Sequence, residues 1–195
     1  MSRQQCPVCQ RPLSHCLCSL IPSLVSDTQV LILQHPSETV HALNTARLVT
    51  LGLRSAALSI GESFPALPDD GRFSYLLFPG PDAVPIETLD AKTSPLRLVV
   101  PDGTWRKARK LLHLNPAVAA LPRVSLPVGL VSRYRLRKAP EPGALSTLEA
   151  IVTALNALEG AGRFDALLHP FEALIDAQIQ AMGAEVYRRN HLDRQ

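Results

Sequence analysis

The chain has 195 residues, 46% of them hydrophobic and 19% charged, with a formal net charge of +3 at pH 7. That length and composition fit one globular domain with room for a small appendage, and they exclude a disordered chain. No apolar run approaches the ~20 residues a membrane helix needs, and MSRQQCPVCQ has no apolar signal-peptide core, so a cytoplasmic chain without a membrane partner is expected.

Residues 6 to 18 read CPVCQRPLSHCLC and hold all four cysteines. Cytosolic thiols stay reduced, so Cys6, Cys9, Cys16 and Cys18, spaced C-x2-C-x6-C-x-C, are expected to wrap a structural zinc ion. Two short-loop disulfides or four free thiols are the competing readings. Four thiolates leave no open coordination position, so any catalysis must be sought elsewhere. Residues 1–24 thus form the expected zinc-binding segment and 25–195 the main domain.

Beyond it, QVLILQ (29–34), SAALSI (55–60), SYLLF (74–78) and LRLVV (96–100) are short, apolar and bounded by breakers. Such runs read as buried strands of a parallel sheet. Between the first two, SETVHALNTARLVTLGL suits a four-turn helix ending near Gly52. A second helix is expected after Asp102 through WRKARKLLHL to Pro116. A third, in LSTLEAIVTALNALEGAG, has Ser146 and Glu149 at capping-box spacing and Gly160 and Gly162 as stops. The last runs from about Asp165 to Arg189, with a break expected at Pro170. Alternating strands and helices predict an α/β domain.

Residues 97 to 138 hold ten of the 20 Lys and Arg against one acid, Asp102. Clustered cations suit a phosphate backbone, although a solvated helix face and a basic loop would also explain them. In SRYRLRK the cations Arg133, Arg135 and Arg137 alternate, so an extended segment would present them on one side, with Tyr134 packed on the other.

The strand-end stretches QHPSE (34–38), FPGPD (78–82), PDGTW (101–105) and PVGLVSRYR (127–135) are where ligands settle in α/β sheets. There is no G-x-G-x-x-G, P-loop or G-x-S-x-G, which argues against dinucleotide, nucleotide-triphosphatase and hydrolase chemistry. With the cysteine cluster, NTARL (44–48), SRYR (132–135) and LSTLEA (145–150), these residues resemble the DTW-domain family, whose Asp-Thr-Trp signature stands here as Asp102, Gly103, Thr104 and Trp105. The resemblance covers nearly the whole chain. It implies a SPOUT-like fold, a parallel sheet flanked by helices with a C-terminal knot. It also implies a tRNA-uridine aminocarboxypropyltransferase that moves the 3-amino-3-carboxypropyl group of S-adenosylmethionine to N3 of a tRNA uridine and releases methylthioadenosine. A SPOUT-type RNA methyltransferase and a non-catalytic zinc-containing RNA-binding protein are the alternatives.

Within that reading Asp102 is either the base that takes the N3 proton or the cap of the following helix. Thr104 either meets substrate or caps, and Trp105 either stacks on a base or anchors the core. The donor is expected near Pro79, Gly80, Ser132, Ser146, Thr147 and Glu149, although the capping box alone explains Ser146 and Glu149. RNA contacts are expected from His35, Glu38, Asn44, Arg47, Arg106, Arg133, Arg135 and Arg137. Each also has a plain structural account, such as Glu38 at a helix start.

Overall fold

A computed structural model describes residues 4–41, 43–91, 93–136 and 143–192. Six strands form one parallel sheet: β1 (Gln29–Gln34), β2 (Ala56–Ile60), β3 (Phe73–Leu77), β4 (Val84–Pro85), β5 (Leu96–Asp102) and β6 (Arg123–Ser125). Their order across the sheet is β2-β1-β5-β3-β6-β4, and every pairing is parallel. The expected parallel α/β architecture is therefore present. β4 and β6, of two and three residues, escaped the sequence reading because neither is long enough to show a period.

The central strands β1 and β5 are buried on both faces, which explains their unbroken apolar sequence. Alternation along them splits the core in two. Val30, Ile32, Leu98 and Val100 join one cluster with Leu48 and Val49 of α1 (Ala46–Gly52), Leu148 and Ile151 of α4 (Thr147–Glu159), and Phe171 of α5 (Leu168–Met182). Leu33 and Val99 join the other with Leu112 of α2 (Trp105–Leu114) and Val118 of α3 (Pro116–Ala119). Helices thus cover both faces of the sheet.

Two helix expectations are corrected. The stretch before Gly52 holds only a one-turn 3-10 helix, Pro36–Glu38, and the seven-residue α1. Polar side chains between them compete with helix formation. Asn44 donates to the Glu38 carbonyl and accepts from the Arg47 amide, both at 3.3 Å, and Val40 is 88% exposed. Nor does Pro170 break the last helix. It lies in the first turn of α5, where a missing N–H costs nothing, and the interruption comes at Gly183 (φ 86°), before α6 (Ala184–Tyr187).

Arg97, counted above among the basic cluster, is no surface cation. It is 1% exposed and bonds Asp70 (2.5 Å), Gln29 (2.6 Å), the Pro68 carbonyl (3.1 Å) and Ser74 (3.2 Å), tying loop 68–72 to the start of the sheet. Among the described residues no helix is long and apolar enough to cross a membrane.

Candidate active site

The parallel register sets Gln34, the last residue of β1, directly beside Asp102, the last residue of β5. Both are buried, at 1% and 8% exposure. Gln34 Nε2 donates to Asp102 Oδ2 at 2.7 Å, and Thr147 Oγ1, at the first position of α4, donates to Asp102 Oδ1. Three elements therefore converge on one carboxylate at the carboxyl edge of the sheet, where α/β ligand sites form. Gln34 was not among the sequence candidates. Its only signal was a polar residue closing an apolar strand.

Asp102 is not the cap of α2. That role falls to Thr104, whose Oγ1 accepts from the Lys107 amide at 3.4 Å. Gly103 (φ 152°) makes the turn between them, and a Cβ there would sit 3.1 Å from Cβ of Lys107, so this position needs glycine. The capping box at α4 is present as expected: Ser146 and Glu149 exchange both bonds, at 3.3 and 2.8 Å.

Beside Asp102 lies a cavity of about 420 Å³. Its walls come from the ends of β3, β5 and β6, from Trp105 and Ala108 of α2, from loop residues 126–130, and from 143–147 leading into α4. Mostly apolar walls with a few polar groups at one end are the usual makeup of a small-molecule site. Trp105 is half-buried and tilts against Phe78, with centroids 5.3 Å apart, so it both borders the cavity and is anchored. Among the donor candidates, Pro79, Ser146 and Thr147 line the cavity and Gly80, Ser132 and Glu149 do not.

Glu149 is occupied otherwise. Its buried carboxylate accepts from Ser132 Oγ (2.9 and 3.1 Å), the Arg133 amide (2.6 Å) and the Ser146 amide (2.8 Å). It pins the loop after β6 to the start of α4. Gly80 clears space for Arg123, whose Nη1 would lie 2.8 Å from a Cβ there. Arg123 in turn donates to the Pro79 carbonyl at 3.3 Å and stacks over Phe78.

The RNA candidates separate into several groups. His35 Nε2 pairs with Glu62 (2.8 Å), and Glu38 with Lys107 (2.6 Å). Lys110, the first cause, and then His35 hold the Glu62 carboxyl below its usual range. Asn44 accepts from Gln34 Nε2 at 3.2 Å. Arg47 donates to the Val8 carbonyl at 2.9 Å, bracing the cysteine segment. Arg133 pairs with Glu172 (2.6 Å) and Arg135 with Asp176, both of α5. Segment 131–134 lies outside any strand and turns at 135–136, so the expected one-sided row of cations is replaced by pairs to α5. Tyr134 packs edge-on against Phe171, centroids 5.6 Å apart. Arg106 on α2 is exposed and makes no ion pair among the described residues. Arg137 lies outside them.

The four cysteines converge. Every pair of their sulfurs lies within 4.8 Å, with Cys6–Cys18 at 3.6 Å and Cys9–Cys16 at 3.8 Å, and no disulfide links them. A tetrahedral ion with ~2.3 Å metal–sulfur bonds sets its sulfurs ~3.8 Å apart. The cluster could therefore hold a metal. The amides of Cys9 and then Val8 draw the Cys6 thiol down to about 6, while hydrogen bonds with Cys16 and then Cys6 push Cys18 up to about 12.

A family model described as DTW domain matches residues 3–179. The chain is 34% identical over 197 residues to tRNA-uridine aminocarboxypropyltransferase 2 of Drosophila melanogaster, covering 94% of this chain and 78% of that protein. It is 32% identical over 200 residues to the Mus musculus protein of the same name, covering 94% and 66%. It is 31% identical over 201 residues to tRNA-uridine aminocarboxypropyltransferase A of Arabidopsis thaliana, covering 82% and 74%. The chain thus spans about two thirds of the mouse relative. No solved structure matches.

Proposed function

The chain belongs to the DTW domain family, and from that premise we propose that it is a tRNA-uridine aminocarboxypropyltransferase acting in the cytoplasm. The observation that carries this reading is 34% identity across 94% of the chain with a transferase of that name. The donor is S-adenosylmethionine, the acceptor N3 of a tRNA uridine, and the by-product methylthioadenosine. The fold is of the SPOUT class with a C-terminal knot, a reading supported by the all-parallel sheet and by the cavity at its carboxyl edge. Residues 1–24 form a zinc-binding segment, and 25–195 the catalytic domain.

The donor's sulfonium makes each attached carbon electrophilic, so the pose in the site decides which group leaves. The chain's task is mainly positioning. The apolar cavity takes the adenosine, with Trp105 and Pro79 on its walls. At the amino end of α4, where Ser146 and Thr147 border the cavity, the carboxylates of Glu149 and Asp102 already supply negative charge, which suits the donor's sulfonium and ammonium groups.

N3 of uridine carries a proton at neutral pH, and a base must remove it as the N3–carbon bond forms. Asp102 is that base, acting through Thr147. The Thr147 hydroxyl faces the cavity and already donates to Asp102, so it can accept the N3 proton while passing its own to the carboxylate. The carbon–sulfur pair leaves with sulfur, which becomes a neutral thioether. Gln34 holds the carboxylate from the far side. Cys6, Cys9, Cys16 and Cys18 would hold zinc, which would supply structure alone, because four thiolates complete its shell.

The test is incubation of an unmodified tRNA transcript with the protein and S-adenosylmethionine, followed by nucleoside mass spectrometry. One uridine gains the mass of an aminocarboxypropyl group and methylthioadenosine accumulates in equal amount. A methylated nucleoside with adenosylhomocysteine would make it a methyltransferase instead. An unaltered tRNA would favour a non-catalytic RNA-binding protein.

A further inference from the structure

Away from the reaction cavity lies a groove of about 600 Å³, lined by the cysteine segment, the turn before α1 and one edge of α5. Arg11, His15, His41 and Arg47 all border it, and none of its lining residues is Asp or Glu. Of these four, Arg11 and Arg47 carry the formal charge, and Cys9, one of the proposed metal ligands, shares the wall.

The helix α5 turns its acids away from the groove. Its acids Glu172 and Asp176 pair with Arg133 and Arg135, whereas its groove edge offers Gln178 and small or apolar residues. Arg47 is held in place by one amino group on the Val8 carbonyl, while its Nε is buried with no acceptor. Arg11 and Arg47 with the amides of Gln5, Gln10, Asn44 and Gln178, and no Asp or Glu among the lining residues, suit phosphodiester oxygens and nucleotide edges.

We propose that this groove is a second nucleic-acid contact, which takes a phosphodiester stretch of the tRNA outside the nucleotide being modified. The proposal rests on the tRNA reading above. Asn44 ties the two places together, because it borders the groove and accepts from Gln34, which donates to Asp102. A strand held in the groove therefore lies against the same hydrogen-bonded chain that orients the carboxylate.

The experiment measures the affinity of the full chain for an unmodified tRNA transcript across ~50–200 mM salt, with Gln178→Glu and Gln178→Lys as variants. The Glu variant is expected to bind about tenfold more weakly, because a like charge then faces phosphate. The Lys variant is expected to bind several-fold more tightly and to steepen the slope of log affinity against log salt by about 0.7–0.9. Misfolding would weaken both variants, so opposite signs cannot come from it. Two affinities within twofold of the parent, or a loss in both, would overturn the proposal. If the parent chain leaves tRNA unmodified, the transferase reading fails, and the paired affinities still decide the groove.

Discussion

Replacing Asp102 by Asn is expected to lower kcat by between about 100- and 10,000-fold, the range of a lost general base. The substitution keeps shape and removes the charge proposed to receive the N3 proton. It also has a structural cost, because both neighbours of the carboxylate are donors. Gln34 and Thr147 each give a hydrogen to Asp102. The asparagine nitrogen therefore either faces the Gln34 amide donor to donor, or donates to Thr147 and turns its hydroxyl hydrogen into the cavity, and a charge-assisted bond is lost either way. That costs about 1–3 kcal/mol of stability, enough to lower the thermal midpoint while the chain stays folded. The two effects separate by measurement. Donor affinity is expected to stay within a few-fold of the parent while turnover at saturation collapses. An Asp102→Asn protein that is fully folded and turns over within threefold of the parent would remove Asp102 from the chemistry and leave it a brace between β1, β5 and α4.

Replacing Cys9 by Ser, or stripping metal with a chelator, is expected to open the N-terminal segment. Metal content is predicted to fall from about one ion per chain to a small fraction, because each thiolate contributes to a closed shell. The segment has little else to hold it. Ahead of Leu17 it is tied by Arg47, which donates to Val8 from α1, whereas Leu17, Ile21 and Leu24 pack on the main core and Leu24 pairs with the Gly52 carbonyl and the Arg54 amide. Limited proteolysis is therefore expected to cut ahead of Leu17, within the cysteine segment, while the sheet domain survives. Affinity for tRNA is expected to drop at least tenfold, since Arg11 and His15 leave the groove with the segment. A chain that keeps its protease resistance and metal-free tRNA affinity would show that the cysteines do not organise this face.

Much of the fold is legible because burial on both sides writes itself into the sequence. QVLILQ is β1 residue for residue, and LRLVV is the buried start of β5. The capping box at Ser146 and Glu149 marks α4 for a similar reason: it is local chemistry. Open choices and errors alike fall where contacts distant in sequence decide the outcome. Thr104, and not Asp102, caps α2 because Gly103 turns the chain, and Asp102 is claimed by Gln34, 68 residues earlier, and by Thr147, 45 residues later. The helix expected before Gly52 has apolar residues at helical intervals. Yet Asn44 reaches back to Gln34 and Glu38 and fixes a turn instead.

The basic stretch shows the same limit. Arg133 and Arg135 read as free cations until α5 brings Glu172 and Asp176 beside them, 39 and 41 residues on. Arg97 reads as part of the same cluster and is in fact a buried staple at the opposite edge of the sheet. Arg11, His15, His41 and Arg47 are scattered over 37 residues, and only the fold collects them into one groove.

Where S-adenosylmethionine sits in a structure of the protein with bound donor and a uridine-containing tRNA fragment is the most direct measure of the whole account. Its adenosine should lie in the cavity against Trp105, and the carbon bearing the amino-acid arm should face the uridine N3, with that nitrogen within hydrogen-bond reach of Thr147. A donor seated away from Thr147 and Asp102, or one that turns its methyl group toward the RNA, would contradict it.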